Sequence, residues 1–306
     1  MTQIFSRFPL LLLWALVGAL VGPLAARAQV RSVVPLTIVH GADGGGRAYV
    51  TMRFGNVMGP MRLDTAASTS RIRLAPWNEA FPALGASVST GASGAAMRCE
   101  DADAGAVELK AAQGNNIGRA NYRVTRCATS DGDDLLGLDF FKGARFSLDL
   151  AGGEMVFFPP SDGDGFRPFR RLWADQKLIG LDVRLGKTEA VGLFDTGAEI
   201  SAVDRRFLER HKALFVPLAK KAKVSEASGK KFASKVYRVK EIDLGAGRVL
   251  KDVVVVSYDF GPLREALGGE TPIILGFDIL SRYRWELDFG AEGPRWRVVG
   301  RQGASP

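Results

Sequence analysis

Short apolar runs that stop at turn residues, with few long stretches of helical period, set the hydrophobic pattern of this chain. Runs of that length bounded by glycine, proline or aspartate read as strands. Segments 33–39 and 48–54 read as strands on either side of Gly44-Gly45-Gly46, after a short leader at 29–34. In the second half, 178–185 and 190–194 form a similar pair around Gly186-Lys187, followed by a short surface helix at 204–211. Further strands are expected at 239–244 and 250–257, and at the apolar run Ile273-Ile274-Leu275. A short helix at 277–284 and a closing hairpin of 285–288 with 295–299 complete the pattern. The sharpest boundary is where the apolar run 191–194 ends at Asp195-Thr196-Gly197. A buried strand that delivers a carboxylate to a turn gives this boundary, and the glycine permits close backbone approach. An Asp opening a surface turn is the plainer account of the same three residues.

Repetition moves the reading away from that plainer account. Met61-Arg-Leu-Asp-Thr-Ala-Ala-Ser68 aligns with Gly192-Leu-Phe-Asp-Thr-Gly-Ala-Glu199, so that Asp64 and Thr65 lie 131 positions before Asp195 and Thr196. Downstream, Leu135-Leu-Gly-Leu-Asp-Phe-Phe141 echoes Ile274-Leu-Gly-Phe-Asp-Ile-Leu280, with Gly137 and Gly276, Asp139 and Asp278, and Asp149 and Asp288 each 139 apart. The chain is an internal duplication.

At these residues the chain resembles the aspartic peptidases of clan AA, the retropepsin and pepsin group. Its local wording, Phe194-Asp-Thr-Gly-Ala-Glu-Ile-Ser201 and Ile274-Leu-Gly-Phe-Asp-Ile-Leu280, is closer to retropepsins and their bacterial relatives. The resemblance implies an all-β fold of two tandem retropepsin-like β-barrel lobes with short helices, related by a pseudo-two-fold axis. It implies Asp64 and Asp195 as a catalytic pair, supported by Thr65, Ala66, Thr196, Gly197 and Ala198. A flap hairpin over the bound peptide would centre on Ser228-Gly229, with Val224, Phe232 and Val236 on its apolar side and Ser228, Gly229 and Phe232 meeting the substrate. The first-lobe flap is expected near 89–94, with Ser93-Gly94 at its turn but no flanking alternation.

Composition adds an address. Arg7 precedes the uncharged stretch 8–26, and Ala26-Arg27-Ala28 supplies small residues at a cleavage site, the layout of a secretory signal peptide. An uncleaved membrane anchor is the alternative, since 19 uncharged residues nearly reach spanning length. The expected organisation is a signal peptide at 1–28, a first lobe at 29–160, a linker at 161–172, a second lobe at 173–301 and a tail at 302–306. A periplasmic or secreted location follows, and in an oxidising compartment Cys99 and Cys127 are expected to form a disulfide within the first lobe. Two unpaired buried thiols are the alternative.

Two histidines, His40 and His211, far apart and without a ligand cluster, argue against a metal site, and no cofactor is implied. The same scarcity argues against histidine-assisted nucleophiles. Charge is uneven. Residues 29–165 hold 13 Lys/Arg against 15 Asp/Glu, and 166–306 hold 26 against 18. A solvated basic face accounts for the second half; a preference for acidic substrates or an anionic membrane surface is the sharper alternative. The expected partner is a peptide or protein substrate and not nucleic acid, with membrane contact only through an uncleaved leader.

Two carboxylates within hydrogen-bond reach share one proton over a broad pH range. The ionised member can activate a water while the protonated member polarises a peptide carbonyl. Ala66 departs from the family's glycine, and at positive φ it would cost roughly 1 kcal/mol. Ala67 and Ala198 stand where pepsins carry a hydroxyl, whose loss raises the carboxylate pKa and favours mildly acidic conditions. Three functions stay open: a monomeric endopeptidase with an intramolecular pair, a peptide-binding pseudoprotease with a decayed first lobe, and a homodimer pairing two second lobes.

Overall fold

The computed structural model describes residues 31–91, 96–129, 132–158, 165–172, 177–225, 231–245, 247–269 and 271–301. The expected signal peptide, Ser93-Gly94 and Ser228-Gly229 lie outside these residues. The fold is all-β with short helices.

In the first lobe, Gly46–Phe54 and Val57–Leu63 form an antiparallel hairpin closed at Gly55, whose φ of +56° suits glycine. Gly46–Phe54 alternates cleanly, with Ala48, Val50, Met52 and Phe54 on the buried side. Val57–Leu63 then receives Leu135–Leu136 as a parallel neighbour, and the sheet continues through Arg71–Arg73, Arg123–Cys127, Ala96–Asp103 and Ala83–Thr90.

The second lobe repeats the device. Leu178–Leu185 and Thr188–Phe194 form the hairpin, Ile273–Leu275 lies parallel to Thr188–Phe194, and Ala202–Asp204 follows. The copy extends to register. Tyr49 opposes Arg62 as Gly180 opposes Leu193, each partner 131 positions on. Val249–Tyr258, Lys231–Asp243 and Phe215–Ser225 continue this sheet, and Arg184 opposite Asp243 closes it back on Leu178–Leu185.

A third sheet belongs to both halves. Its order is Ser32–Pro35, Glu154–Phe158, Arg145–Asp149, Tyr283–Asp288, Arg295–Arg301, Arg167–Pro168. Ser147 faces Glu286, its own copy 139 positions on, so the pseudo-two-fold axis passes between them. Beneath lie aromatic contacts from both halves, among them Phe146 against Phe289 and Phe194 against Trp285.

Four segments differ from expectation. The leader is partly a strand, Ser32–Pro35, because Val34 is fully buried and the segment pairs with Glu154–Phe158. The helix at 277 ends at Leu280, since Tyr283 and Trp285 are buried on one face of the next strand, Tyr283–Asp288. The strand expected at 239–244 is the end of one longer strand, Lys231–Asp243, paired along its length with Val249–Tyr258. Within 161–172, Arg167–Pro168 and Arg170–Leu172 are strands.

Cys99 and Cys127 are disulfide-bonded, and they face each other directly across the strand pair Ala96–Asp103 and Arg123–Cys127. Thiol titration of denatured, unreduced protein should therefore find no free thiol from this pair. Replacing both by alanine should lower unfolding stability by roughly 3–4 kcal/mol on the chain-entropy model. A stability unchanged by the double replacement would contradict a structural role for the bond.

Candidate active site

Each aspartate loop is held from behind by its parallel neighbour. The Asp64 N–H donates to Leu136 O at 3.0 Å, and the Asp195 N–H to Leu275 O at 3.1 Å. Leu138 N donates to Ala67 O and Phe277 N to Ala198 O, so the two loops are pinned alike. The close fit needs glycine. A Cβ on Gly137 would sit 2.7 Å from Ala67 O, and one on Gly276 would sit 2.8 Å from the Ile200 carbonyl carbon.

Behind each glycine lies a serine–aspartate pair with no role assigned from the sequence. Ser70 Oγ donates to Asp139 at 2.9 Å and accepts from Gly137 N; Ser201 Oγ donates to Asp278 at 2.7 Å and accepts from Gly276 N. The repeated position, six residues after each Asp-Thr, was the available signal. Burial pushes the Asp278 carboxyl up to about 6, against the Ser201 hydrogen bonds, and raises that of Asp139 as well.

The two loops interlock through their threonines. Thr65 Oγ1 donates to Phe194 O at 2.7 Å and accepts from Thr196 N at 3.0 Å. Thr196 Oγ1 donates to Leu63 O and accepts from Thr65 N, both at 3.1 Å. Both side chains are buried.

This interlock brings the aspartates together. Asp64 lies against Gly197 of the opposite loop, where an added Cβ would fall 2.4 Å from Asp64 Cγ. Asp64 Oδ1 accepts from Ala66 N, and Asp195 Oδ1 accepts from both Gly197 N and Ala198 N. Burial, and then the neighbouring Asp64 charge, push the Asp195 carboxyl up to about 7; Arg62 and the two backbone donors oppose the rise. Ala66 does not occupy positive φ, which among the described non-glycine residues is found at Asn121 and Asp252, so the expected strain there is absent.

The pair opens into a cleft of about 740 Å³ lined by both lobes. Ser89–Gly91 line it from the first lobe and Lys221–Lys223 from the second. The first-lobe hairpin is therefore present, as Ala83–Thr90 with Ala96–Asp103. Phe232 lies on Lys231–Asp243, opposite Val224. Arg47 and Glu199, which also line the cleft, join the lobes with an ion pair at 3.0 Å. Sequence reasoning did not single out Arg47, Arg62, Arg71 or Glu199, all of which line the cleft. Among the described residues no group of three or more His, Cys, Asp or Glu could hold a metal ion.

Residues 181–279 match the family described as aspartyl protease. Among solved structures, the basic 7S globulin from soybean shares 13% identity, with 89% of this chain and 95% of that chain covered and a TM-score of 0.54. Conglutin gamma, a basic 7S globulin from lupine seeds, gives 12%, 89%, 95% and 0.54. At such identities the likeness is one of fold. No curated protein matches the chain by sequence. The aspartyl protease match thus falls within the second lobe, and the solved structures share the fold of both lobes.

The interlock should be costly to break. Thr196→Val leaves the Thr65 N–H and Leu63 carbonyl buried without this partner, and should cost on the order of 2–4 kcal/mol in denaturant unfolding, whereas Thr196→Ser should cost far less. Equal effects of the two substitutions would refute the hydrogen-bonding account. Asp278 gives a pH test. Its raised carboxyl means that the folded chain keeps a proton which the unfolded chain releases between about pH 4 and 6. The associated stability is present at low pH and lost as pH rises through about 6, on the order of 3 kcal/mol. Asp278→Asn should flatten that part of the stability–pH curve, and an unchanged slope would show that Asp278 does not titrate there.

Proposed function

We propose that this chain is an exported aspartic endopeptidase that hydrolyses peptide bonds with a water activated between Asp64 and Asp195. The observation that carries the reading is the contact of the Asp64 carboxylate with Gly197, inside the loop of the other aspartate. One carboxylate in its ionised form takes a proton from the water as it attacks the peptide carbonyl. The other, protonated, donates to the carbonyl oxygen and stabilises the charge that develops there. The backbone N–H groups of Ala66, Gly197 and Ala198 fix the orientation of the two carboxylates. Because both aspartates come from one chain, the reading is a monomeric enzyme. The disulfide and the leader-like N-terminus support export to an oxidising compartment.

A binding role without hydrolysis is the second reading. The fold neighbours named as globulins favour it.

Asp64→Asn and Asp195→Asn should each abolish cleavage of a denatured protein substrate while leaving the fold intact, since an amide can neither share the proton nor activate water. Wild-type activity should persist up to near pH 7, because the second carboxylate keeps its proton until pH passes the raised value at Asp195. Activity is lost above that as the pair becomes doubly ionised. Normal cleavage by Asp64→Asn alongside a dead Asp195→Asn would transfer the reading to a homodimer of second lobes. Peptide binding without cleavage across the whole pH range would establish the binding role instead.

A further inference from the structure

The duplication extends to the hairpin that each lobe brings to the cleft. Thr90 opposes Ala96 in the first lobe, and Lys221 opposes Lys235 in the second. Lys221 lies 131 positions after Thr90 and Lys235 lies 139 after Ala96, the two offsets of the duplication. A neutral cross-strand pair is thus matched by two lysines set directly opposite one another. The surrounding residues diverge in the same sense. Residues 86–101 hold 1 Lys/Arg and 2 Asp/Glu, whereas the corresponding residues 217–240 hold 8 and 1.

Like charges directly opposite on antiparallel strands are destabilising. Lysines on an edge strand guard it against pairing with other chains, and Phe215–Ser225 is the last strand of its sheet. That account does not reach Lys235, which stands on the inner neighbour, Lys231–Asp243. Nor does the first lobe follow it, because Ala83–Thr90 also ends its sheet and carries no charged residue. The second-lobe ladder slips between Pro217 and Lys221, where the first-lobe copy, 86–90, keeps a regular register. At this slip is a hollow of about 430 Å³, lined among others by Pro217, Leu218, Lys221, Lys235 and Tyr237. Lys221 lines both the hollow and the cleft, so the two adjoin. Lys223, two residues further along the strand and on the same face, lines the cleft as well. Lys221, Lys223 and Lys235 are exposed, and no acid among the described residues pairs with them.

We propose that Lys221 and Lys235, with Lys223, form an exosite for acidic peptide: a substrate lying in the cleft extends along the second-lobe hairpin and sets Asp or Glu side chains against these ammonium groups. Carboxylates there offset the repulsion between the opposed lysines, and Pro217, Leu218 and Tyr237 offer apolar contact to the stems of the acidic side chains. The pseudo-two-fold axis exchanges the two hairpins, and one of them is cationic. The acidic residues therefore belong on one flank of the scissile bond. Exposed ammonium–carboxylate pairs are individually weak and screened by salt, so the preference takes several acids to build. The inference rests on the reading of the cleft as a peptide-hydrolysing site, and it names the substrate class of that site.

The test separates recognition from hydrolysis. Fluorescein-labelled peptides carry a central Leu-Phe pair and a run of Glu, Gln or Lys on one flank or the other. Their affinity for the Asp195→Asn chain is measured by fluorescence anisotropy at low and high salt, and wild-type kcat/KM is measured on the same set. On one flank the Glu peptide should bind about fivefold or more tighter than the Gln peptide, and the ratio should shrink with added salt. Lys221→Gln with Lys235→Gln should bring the ratio near one. Lys221→Glu with Lys235→Glu should invert the preference towards the Lys peptide. Lys187→Gln, at an exposed lysine in the turn between Leu178–Leu185 and Thr188–Phe194, should leave the ratio unchanged. Circular dichroism checks that each variant is folded; where a double variant is not, Lys235→Gln alone must lower the ratio. Equal affinity for Glu and Gln peptides on both flanks, or no peptide binding at all, overturns the proposal. So does a ratio that Lys187→Gln lowers as far as the double replacement, since net charge alone would then account for it. Binding to phosphatidylglycerol vesicles that depends on Lys221 and Lys235, without a Glu preference among peptides, overturns it in favour of a membrane-facing surface. Wild-type cleavage without acidic preference removes the exosite but keeps the hydrolase. Glu binding that depends on Lys221 and Lys235, without wild-type cleavage, keeps the exosite and removes the hydrolase.

Discussion

Two buried hydroxyls, each bonded into the other's loop, are the constraint on which this molecule depends. A threonine inside a β-lobe has to satisfy its own hydroxyl and leave no backbone group orphaned. Thr65 and Thr196 solve both problems only when the two loops are face to face. The approach of the aspartates follows from that arrangement. Their mutual repulsion is held against the backbone donors and the packing behind Gly137 and Gly276, which leave little room to relax apart. Burial, and after it the neighbouring Asp64 charge, raise the Asp195 carboxyl.

The sequence made the aspartate loops legible because a hydrophobic strand ending in a carboxylate, followed by a small hydroxyl residue, is an unusual local pattern that occurs twice. Offsets of 131 and 139 also carried the two-lobe fold, and the register of the sheets agrees with both. What stayed hidden was polar and cleft-facing. Ala83–Thr90 is exposed along most of both faces, so no alternation marks it as a strand, and its hairpin emerges only from pairing with Ala96–Asp103. Arg62 and Arg71 resemble any outward residues of a strand until the sheet is curled around the cleft. Ser70 and Ser201 gain their roles from Asp139 and Asp278, which are distant in sequence. Where strands end is set by the partner, as with Lys231–Asp243, and single-strand composition carries little of that information.

The halves have diverged unevenly. Backbone positions at the axis keep their chemistry, as the threonines, the glycines at 137 and 276 and the serine–aspartate pairs do. Positions one layer out, in the cleft, have drifted to opposite polarity. The charge count of the whole chain pointed towards the second half as the cationic one, yet the buried Arg71 of the cleft belongs to the first. Surface lysines and arginines dominate such a count.

The sheet shared by the two halves has a further consequence. Its central pairing maps onto itself when the halves are exchanged: Arg145 opposite Asp288 becomes Arg284 opposite Asp149, and indeed Arg284 holds Asp149 at 3.0 Å. A register with that property is isologous, the kind that one unit can form with a second copy of itself. Tethering the copies in one polypeptide turns a meeting of two molecules into an intramolecular closure whose effective concentration does not fall on dilution. It also frees the halves from identity, so that a mutation in one cleft wall is no longer repeated in the other. An asymmetric groove is something a symmetric dimer of identical chains cannot encode, and the covalent link is what makes it available here.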